Sequence, residues 1–299
     1  MSKIPQMIMM IGLPGSGKTT YAKEHYFDAV IHSSDALREE LFGDADYQGD
    51  NEKLFVELHR RIKKDLREGK DVVYDATNIN SRRRRAFLKD LPKCEKIAVV
   101  MVEPYEICLK QNEQRERKVP VASIRRMLMN WNTPYFYEGW DTITIVRVKE
   151  RTFCGADLIE ELKDYDQMNS NHQLSLGDHM EKCRNILKLN TQNNELLYAA
   201  YFHDIGKPFT LSFIDKKDRI CTDAHYYNHH KVGAYFSLLL SEYSTEKVDL
   251  LDVSILINHH MEPYFWEKDP SLEMKRKKLW GDRLYQDIIK LHKADVAAH

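Results

Sequence analysis

The stretch MIMMIGLPGSGKTT, residues 7–20, decides how the first half of the chain folds. An apolar strand runs into a glycine-rich turn and the turn opens a helix, which is the context that the motif G-x-x-x-x-G-K-[ST] requires. The glycines let backbone N–H groups point at phosphate oxygens, Lys18 can reach the β- and γ-phosphates of ATP, and Thr19 can bind Mg²⁺. The expected nucleotide-binding residues are Gly12, Pro14, Gly15, Ser16, Gly17, Lys18, Thr19 and Thr20.

Strand and helix patterns alternate after this motif. Short apolar segments predict strands at 28–34, 71–77, 96–103 and 142–148. Longer segments with apolar residues at helical spacing predict helices at 35–43, 51–70 and 104–117. This alternation is typical of an α/β fold in which a parallel sheet carries helices on both faces.

Asp35 and Arg38 follow the strand at 28–34, at the edge where sheets of this kind bind ligands. Asp35 could accept the proton of an attacking hydroxyl, and Arg38, one turn along, could hold a phosphate of the same substrate. Equally, Ser34 and Asp35 could only cap a helix, with Arg38 on its solvated face. The segment alone does not decide between these interpretations.

Asp75 and a pair of arginines extend the same site. Asp75 ends the strand at 71–77, where a carboxylate can orient the Mg²⁺ shell. Arg115 and Arg117, with Lys118, end a helix just before Val119-Pro120. They could close over the phosphates and stabilise the transferred group, or they could merely compensate the helix dipole.

Two other segments allow both functional and structural interpretations. The run SRRRRAF (81–87) could bind a nucleic-acid backbone, or it could form a solvated helix surface. The aromatic cluster WNTPYFYEGW (131–140) could stack a base, although packing against the lid or the next domain is the interpretation that we favour.

The first half resembles the P-loop 5′-OH polynucleotide kinases of nucleic-acid end-healing systems. The matching pieces are GLPGSGKTT, SDALR, DATNIN, and QNEQRERKVP followed by SIRRM, and they cover roughly residues 5–150. The resemblance implies ATP–Mg²⁺ binding by Lys18 and Thr19, a general base at Asp35 and a substrate-phosphate contact at Arg38. It also implies lid arginines at Arg115 and Arg117. Small-molecule P-loop kinases share the loop and remain an alternative.

The second half is predicted to be all-α. Helical patterns cover 156–166, 175–190, 193–204, 228–243, 246–260 and 282–298. The predicted domains are therefore residues 1–152 and 153–299.

Histidine and aspartate recur beside the apolar faces of these helices. Ten of the thirteen histidines follow residue 150, and HDIGKP (203–208) pairs His203 with Asp204 at a helix end. A buried, unpaired histidine or aspartate is costly, whereas a shared metal ion would satisfy several of them together. The set predicts a metal site.

The order H…HD…H…H…D resembles that of the HD-domain metal-dependent phosphohydrolases. The resemblance implies a central metal site and, if the centre is binuclear, a second one. The implied ligands are His179, His203, Asp204 and Asp295 for the first, and His229 and His260 for the second. His230 and His259 are their neighbouring competitors. His172 and Lys207 are implied contacts to a substrate phosphate, and Asp204 and Lys207 are implied to act in catalysis.

Composition is that of a globular protein, with 42% hydrophobic residues and a formal net charge of −1. Nucleic-acid binding must therefore rest on local patches. Five scattered cysteines without a C-x-x-C pair fit a reducing cytoplasm, and no segment reads as a membrane span or signal peptide. The sequence is compatible with a homodimer. Its end four residues after Asp295 fits either a short last helix or a truncated form.

The two resemblances together predict a bifunctional end-healing enzyme. It would phosphorylate 5′-OH ends of RNA or DNA with ATP and Mg²⁺. With one or two ions such as Mn, Fe, Co or Ni, it would remove a 2′,3′-cyclic phosphate or a 2′- or 3′-phosphate. The chain has no K-x-D-G motif, so a separate ligase is expected to seal the break. The alternative is a nucleoside or sugar kinase with an HD nucleotide phosphohydrolase domain.

Overall fold

The computed structural model describes residues 3–44, 47, 49–170, 172–241, 248–266 and 268–299. Two compact units form along the chain. The first contains the residues up to Met127 together with Pro134–Val148, and the second contains Leu128–Thr133 and Lys149–His299. The predicted boundary at 152/153 lies four residues beyond the junction at 148/149. The prediction placed Leu128–Thr133 in the first domain, whereas this segment belongs to the second unit.

A five-stranded parallel sheet forms the centre of the first unit. Its strands are β1 (Gln6–Ile11), β2 (Val30–Ser33), β3 (Val72–Asp75), β4 (Glu95–Met101) and β5 (Thr142–Val146), in the order β2-β3-β1-β4-β5. Every neighbouring pair is parallel, so all the carboxyl ends meet at one edge. The apolar side chains of β1 are buried from Met7 to Ile11, which makes this strand the middle of the core.

Six helices connect or flank these strands: α1 (Lys18–His25), α2 (Ser34–Phe42), α3 (Asn51–Arg67), α4 (Ser81–Lys89), α5 (Tyr105–Glu113) and α6 (Val121–Leu128). α3 shows why periodicity located the helices well. Leu54, Leu58, Ile62 and Leu66 recur every four residues and are all buried, and Asp50 caps the helix by accepting from the Lys53 N–H. The predicted α/β class is confirmed.

Helices also dominate the second unit, as predicted. They are α7 (Gly155–Leu162), α8 (Leu176–Lys188), α9 (Asn194–Phe202), α10 (Lys207–Thr210), α11 (His229–Ser237), α12 (Leu250–His259), α13 (Pro263–Trp266), α14 (Pro270–Trp280) and α15 (Asp282–Ala298). Parts of the predicted helices 228–243 and 246–260 lie outside the described residues. An antiparallel hairpin of β6 (Ser212–Ile214) and β7 (Ile220–His225), which the sequence did not predict, joins α10 to α11. None of the helices within the described ranges is long and apolar enough to cross a bilayer.

The segment Leu128–Thr133 is built into the second unit. Trp131 is fully buried with its ring 5.0 Å from that of Tyr235, and the Thr133 and Ser254 hydroxyls lie 2.7 Å apart. Of the two interpretations of the aromatic cluster, packing is the one that fits Trp131, because a buried indole cannot stack a base.

One of the four arginines at 82–85 is a structural residue. Arg84 is buried on α4 and donates from Nε and Nη2 to the two carboxylate oxygens of Glu138, at 2.7 and 2.6 Å. The side chains are 1% and 0% exposed, and Trp140 Nε1 also donates to Glu138. Because Arg84 is buried, it belongs neither to a nucleic-acid-binding surface nor to a solvated helix surface, and both interpretations are wrong for this residue. Arg82 and Arg83 are exposed.

We expect Glu138→Ala to lower the free energy of unfolding of the first unit by about 3–5 kcal/mol, because it leaves the Arg84 guanidinium buried without its counter-charge. Urea unfolding would measure this loss. Arg82→Ala removes an exposed arginine of the same helix and should change stability by less than about 0.5 kcal/mol. A loss below about 1 kcal/mol in the Glu138 variant would contradict the structural role.

A second prediction concerns acid sensitivity. Burial lowers the pKa of His59 to about 4, helped by Lys63, whereas an unfolded histidine titrates near about 6.5. Between these values the unfolded chain binds a proton that the folded chain does not, so stability should fall as pH drops from about 6.5 toward 4. The free energy of unfolding, measured with urea at several pH values, gives a slope against pH that reports the number of protons taken up on unfolding. His59→Phe should lower this number by up to about one proton. His25→Phe, at an exposed position of α1, is the control and should leave the slope as in the wild type.

Candidate functional site

The glycine loop lies at the carboxyl end of the central strand β1. Gly15 and Gly17 have φ of +79° and +80°, in the left-handed region that favours glycine. A Cβ on Gly15 would lie 2.1 Å from the Cys108 carbonyl oxygen, and one on Gly12 would lie 2.6 Å from that of Met101. Other residues therefore do not fit these positions, and the loop leads directly into α1.

Lys18 is folded over this loop. Its Nζ donates to the Leu13 carbonyl at 2.6 Å and to Ser16 Oγ at 3.4 Å. Burial lowers the pKa of Lys18 to about 8, although the carboxylates of Asp75 and Asp35 act in the opposite sense. The loop lysine is therefore close enough to the two predicted acidic residues for their charges to influence its pKa.

Thr19 and Asp75, the two residues predicted to act on Mg²⁺, are in contact. Thr19 Oγ1 donates to Asp75 Oδ2 at 2.6 Å, and Asp75 is buried at the end of β3. The loop after β3 lies against the glycine loop, since the Gly12 N–H donates to the Thr77 carbonyl and Asn78 Nδ2 donates to the Met10 carbonyl. A hydroxyl and a carboxylate at this spacing suit a Mg²⁺ bound to ATP phosphates. Thr20 lies exposed on α1.

Three arginines surround Asp35 at the start of α2. Arg38 Nη1 lies 3.4 Å from Oδ1, Arg115 Nη2 lies 3.3 Å from Oδ2, and Arg117 makes a close ion pair with Oδ1. Arg38 also donates to Asn51 Oδ1 at 2.9 Å. Both arginines before Val119-Pro120 therefore reach the predicted base, and dipole compensation does not account for them.

Helix capping does not explain Asp35 either. The cap of α2 is Ser33, whose hydroxyl accepts from the N–H groups of Asp35 and Ala36. The interpretation of Ser34 and Asp35 as mere caps is thus wrong. The Asp35 side chain is 39% exposed, which leaves it open to a substrate hydroxyl.

In the second unit, six buried side chains from five segments of chain converge. His179 comes from α8, His203 and Asp204 from the end of α9, His229 from the start of α11, His260 from the end of α12, and Asp295 from α15. Together with His299, they fall into three overlapping groups: His179, His203 and Asp204; Asp204, His229 and His260; and His179, Asp295 and His299. The first two groups share Asp204.

The two carboxylate oxygens of Asp204 face different pairs of histidines. Its Oδ2 lies 3.6 and 3.4 Å from Nε2 of His179 and His203, and both imidazoles lie within 3.4 Å of Asp295 Oδ1. Its Oδ1 lies 3.1 and 3.8 Å from Nε2 of His229 and His260. A carboxylate that bridges two histidine groups in this way suits a pair of metal ions.

The orientation of the imidazoles supports a metal rather than ordinary hydrogen bonding. Nδ1 of His203, His229 and His260 each donates to a backbone carbonyl three residues earlier, at 2.7–2.8 Å. A carbonyl can only accept, so in the neutral rings the lone pairs are on Nε2 and point into the cluster.

These lone pairs face one another. Nε2 of His229 lies 3.3 Å from that of His260, and Nε2 of His179 lies 3.2 Å from that of His203. Burial lowers the pKa of His260 to about 3, so a proton is disfavoured on that ring. Burial opposes ionisation of Asp204, but Lys207 and the histidines outweigh it and hold the pKa well below its ordinary value. Burial also opposes protonation of His203, but Asp204 and Asp295 outweigh it and raise the pKa well above its ordinary value, so a positive charge is favoured among these groups. Imidazoles around an ionised carboxylate fit divalent transition metals.

Lys207 and His172 flank the cluster. Lys207 Nζ lies 2.7 Å from Asp204 Oδ2 and donates to Gln167 Oε1 at 2.6 Å. The His172 ring lies 6.2 Å from that of His179, and its buried Nδ1 has no hydrogen-bond partner among the described residues. The competitors lie elsewhere: His259 points to Glu262 and Trp280, and His230 lies 6.1 Å from the His260 ring.

Family comparisons agree with this division. Residues 7–134 match the AAA domain, and residues 169–297 match the HD domain. The chain is an AAA domain followed by an HD domain. The expected order of a P-loop domain and an HD domain is therefore confirmed.

Individual relatives match parts of the chain. The L-seryl-tRNA(Sec) kinase of Methanococcus maripaludis is 25% identical over 228 residues, which are 71% of this chain and 84% of the relative. Transcription factor bHLH140 of Arabidopsis thaliana is 25% identical over 59% of this chain and 19% of its own length. A chain of the Pnkp1/Rnl/Hen1 RNA repair complex is 22% identical, with a TM-score of 0.38, over 44% of this chain and 45% of its own.

Sequence reasoning missed three residues beside the metal cluster of the HD domain. Tyr264 donates to Asp295 Oδ2 at 3.1 Å, Gln167 holds Lys207, and His299 Nε2 lies 3.8 Å from Asp295 Oδ1. The i,i+4 spacing of Asp295 and His299 was a usable signal, because such residues share a helix face. No comparable sequence pattern marks Tyr264 or Gln167.

We expect the HD domain to lose thermal stability on chelation, because an ion that binds only the folded state stabilises it by mass action. Adding Mn²⁺ back to chelated wild type should raise the Tm. Asp204→Ala should abolish that rise, together with the metal content measured by mass spectrometry after dialysis.

Asp178→Ala provides a matched control, since Asp178 is exposed on α8 next to His179. It should retain wild-type metal content. Equal metal content in the two variants, or none in the wild type, would contradict the metal site.

Proposed function

We propose that this protein is a bifunctional nucleic-acid end-healing enzyme. Its AAA domain would phosphorylate the 5′-OH end of a broken RNA or DNA strand, and its HD domain would remove a 2′,3′-cyclic phosphate or a 2′- or 3′-phosphate. The observation that carries the proposal is the presence of two candidate phosphate-handling sites on one chain. In one, the Asp35 carboxylate lies among three arginines in the domain that carries the P-loop, and in the other the Asp204 carboxylate lies between two histidine groups.

The pairing of these two reactions is informative. A kinase and a phosphohydrolase that acted on the same phosphate would cancel each other. On the two ends of one broken strand they are complementary, because a 5′-OH and a 3′-phosphate must both be converted before the strand can be sealed. We propose that a separate ligase seals the strand afterwards. We also propose that this protein is cytoplasmic, which is consistent with its five free cysteines.

In the kinase step, Asp35 would accept the proton of the 5′-hydroxyl as its oxygen bonds to the γ-phosphorus of ATP. The bond from that phosphorus to the bridging oxygen of ADP breaks in line. Lys18, Arg115 and Arg117 would stabilise the charge on the transferred group, and Arg38 would hold the substrate phosphate next to the reacting hydroxyl. The relative named L-seryl-tRNA(Sec) kinase supports a substrate hydroxyl that is carried by an RNA.

In the hydrolase step, one or two divalent ions would supply a bound water of lowered pKa and would polarise a phosphate oxygen. The residues that would hold them are His179, His203, Asp204, His229, His260 and Asp295. Lys207 and His172 flank this cluster and would bind the remaining phosphate oxygens. Their role is to orient the ester for in-line attack by water, with the sugar oxygen as the leaving group.

Asp35→Ala should reduce 5′-phosphorylation of an oligonucleotide by about 10²–10⁴-fold, which is the usual effect of removing a general base. Release of 3′-phosphate should stay at the wild-type rate. The assay uses one labelled oligonucleotide with a 5′-OH and a 3′-phosphate, incubated with ATP and Mg²⁺, Mn²⁺, Co²⁺ or Ni²⁺. Loss of both activities together would contradict two separate sites.

Glu39→Ala is the control for this assay, because Glu39 is exposed on the same helix one turn further along. It should retain both activities. A parallel reaction with nucleosides and sugars tests the small-molecule alternative. Phosphorylation of these compounds without phosphorylation of the oligonucleotide would overturn the proposal.

A further inference from the structure

A cationic helix of the HD domain has no role in the chemistry described so far. α14 reads PSLEMKRKKLW and carries four consecutive cations at 275–278. Lys275, Lys277 and Lys278 are exposed, as is Met274 at 71%. At a spacing of 3.6 residues per turn these four side chains share the outer side of the helix, while Glu273, Arg276 and Trp280 share the opposite side.

The inner side fixes α14 to the chain segment that carries His260, one of the candidate metal ligands. Arg276 donates to both carboxylate oxygens of Glu262, at 3.0 and 2.8 Å, and the Trp280 ring lies 4.6 Å from that of His259. Glu262 and His259 flank His260, whose Nε2 faces the cluster. α14 is therefore anchored to the segment that supplies a candidate metal ligand.

The acidic residues of this region are engaged on other sides of the helix. Glu273 accepts from the Tyr285 hydroxyl at 2.5 Å, and Asp269 caps the start of α14 through Ser271. Lys277 and Asp282 lie 3.7 Å apart at a well-exposed position, where an ion pair contributes little. Lys275 donates to Ser271 Oγ at 3.3 Å, and Lys277 Nζ lies 5.2 Å from the Tyr285 ring. The outer side thus presents three exposed lysines around an apolar methionine.

We propose that the outer side of α14 binds the phosphates of a single-stranded polynucleotide whose 3′ end enters the metal cluster. The inference rests on the proposed function and deepens it. A mononucleotide has its one phosphate in the cluster and nothing left for a separate helix, whereas a strand has further phosphates that can reach Lys275, Lys277 and Lys278. Met274 offers an apolar contact to a sugar or base between them. The lysines would therefore give preference for strands over nucleotides.

The test compares two triple variants of the full-length protein with the wild type. One changes the α14 lysines, as K275Q/K277Q/K278Q. The control, K163Q/K188Q/K217Q, changes three exposed lysines on other elements of the same unit. The substrates are an oligonucleotide with a 3′-phosphate and a nucleoside 3′-monophosphate, assayed over 50–300 mM salt.

We expect the α14 variant to raise the KM for the oligonucleotide by about 10- to 100-fold at 0.1 M salt and to leave that for the monophosphate unchanged. The slope of log KM against log salt should fall by about 2, because each lost contact to a single strand removes about 0.7. 5′-Kinase activity should be retained, since α14 belongs to the other unit. An unchanged KM for the oligonucleotide would overturn the inference, and so would an equal rise for both substrates.

A direct binding measurement separates this inference from the proposed function. If the wild type hydrolyses neither substrate, the proposed hydrolase function fails. Fluorescence anisotropy with a labelled, 5′-phosphorylated single strand then tests the lysines alone. Weaker binding by the α14 variant than by the control supports the inference, and equal binding by the two variants overturns it.

Discussion

The constraint that organises the HD domain is the burial of six side chains whose acceptor atoms face one another. Lone pairs at 3.2–3.3 Å and carboxylates away from water are unfavourable unless a cation lies among them. The six side chains lie near the ends or on the inner sides of five helices, so α8, α9, α11, α12 and α15 must all reach the same point. The packing of these five helices and the assembly of the site therefore depend on each other.

The AAA domain would meet the opposite electrostatic demand if it binds a nucleotide, as proposed above. The anion would then face the backbone N–H groups of the glycine loop, Lys18 and the arginines around Asp35. In the structure these arginines neutralise the carboxylate that is expected to act as a base. The same guanidinium groups are expected to bind the transferred phosphate. The proposed base and the nucleotide would therefore interact with the same arginines.

Much of this could be predicted from the sequence, and for identifiable reasons. The glycine loop, the strand ending at Asp75 and the histidine series depend on residue types that few other environments tolerate. Periodicity located α3 because its buried leucines and isoleucine recur regularly. Local patterns of this kind do not need knowledge of tertiary contacts.

The remaining features depend on contacts between distant residues. Nothing in a run of four arginines distinguishes Arg84, and its role appears only when Glu138, 54 residues later, lies against it. The same holds for Tyr264 at Asp295 and for Gln167 at Lys207. The β6–β7 hairpin was missed because its strands are short and bury only one residue, Ala224, so they lack the run of buried apolar residues that marks β1, β3 and β4 of the parallel sheet.

The placement of Leu128–Thr133 has a consequence for how this chain can be divided. The HD unit takes a segment from within the sequence of its neighbour, and that segment carries the fully buried Trp131. No single cut separates the two units: a fragment beginning at Lys149 lacks the indole that covers Tyr235, and a fragment ending at Val148 retains it without its packing partners. Each unit in isolation would therefore need a chain that is either interrupted or rejoined around Leu128–Thr133.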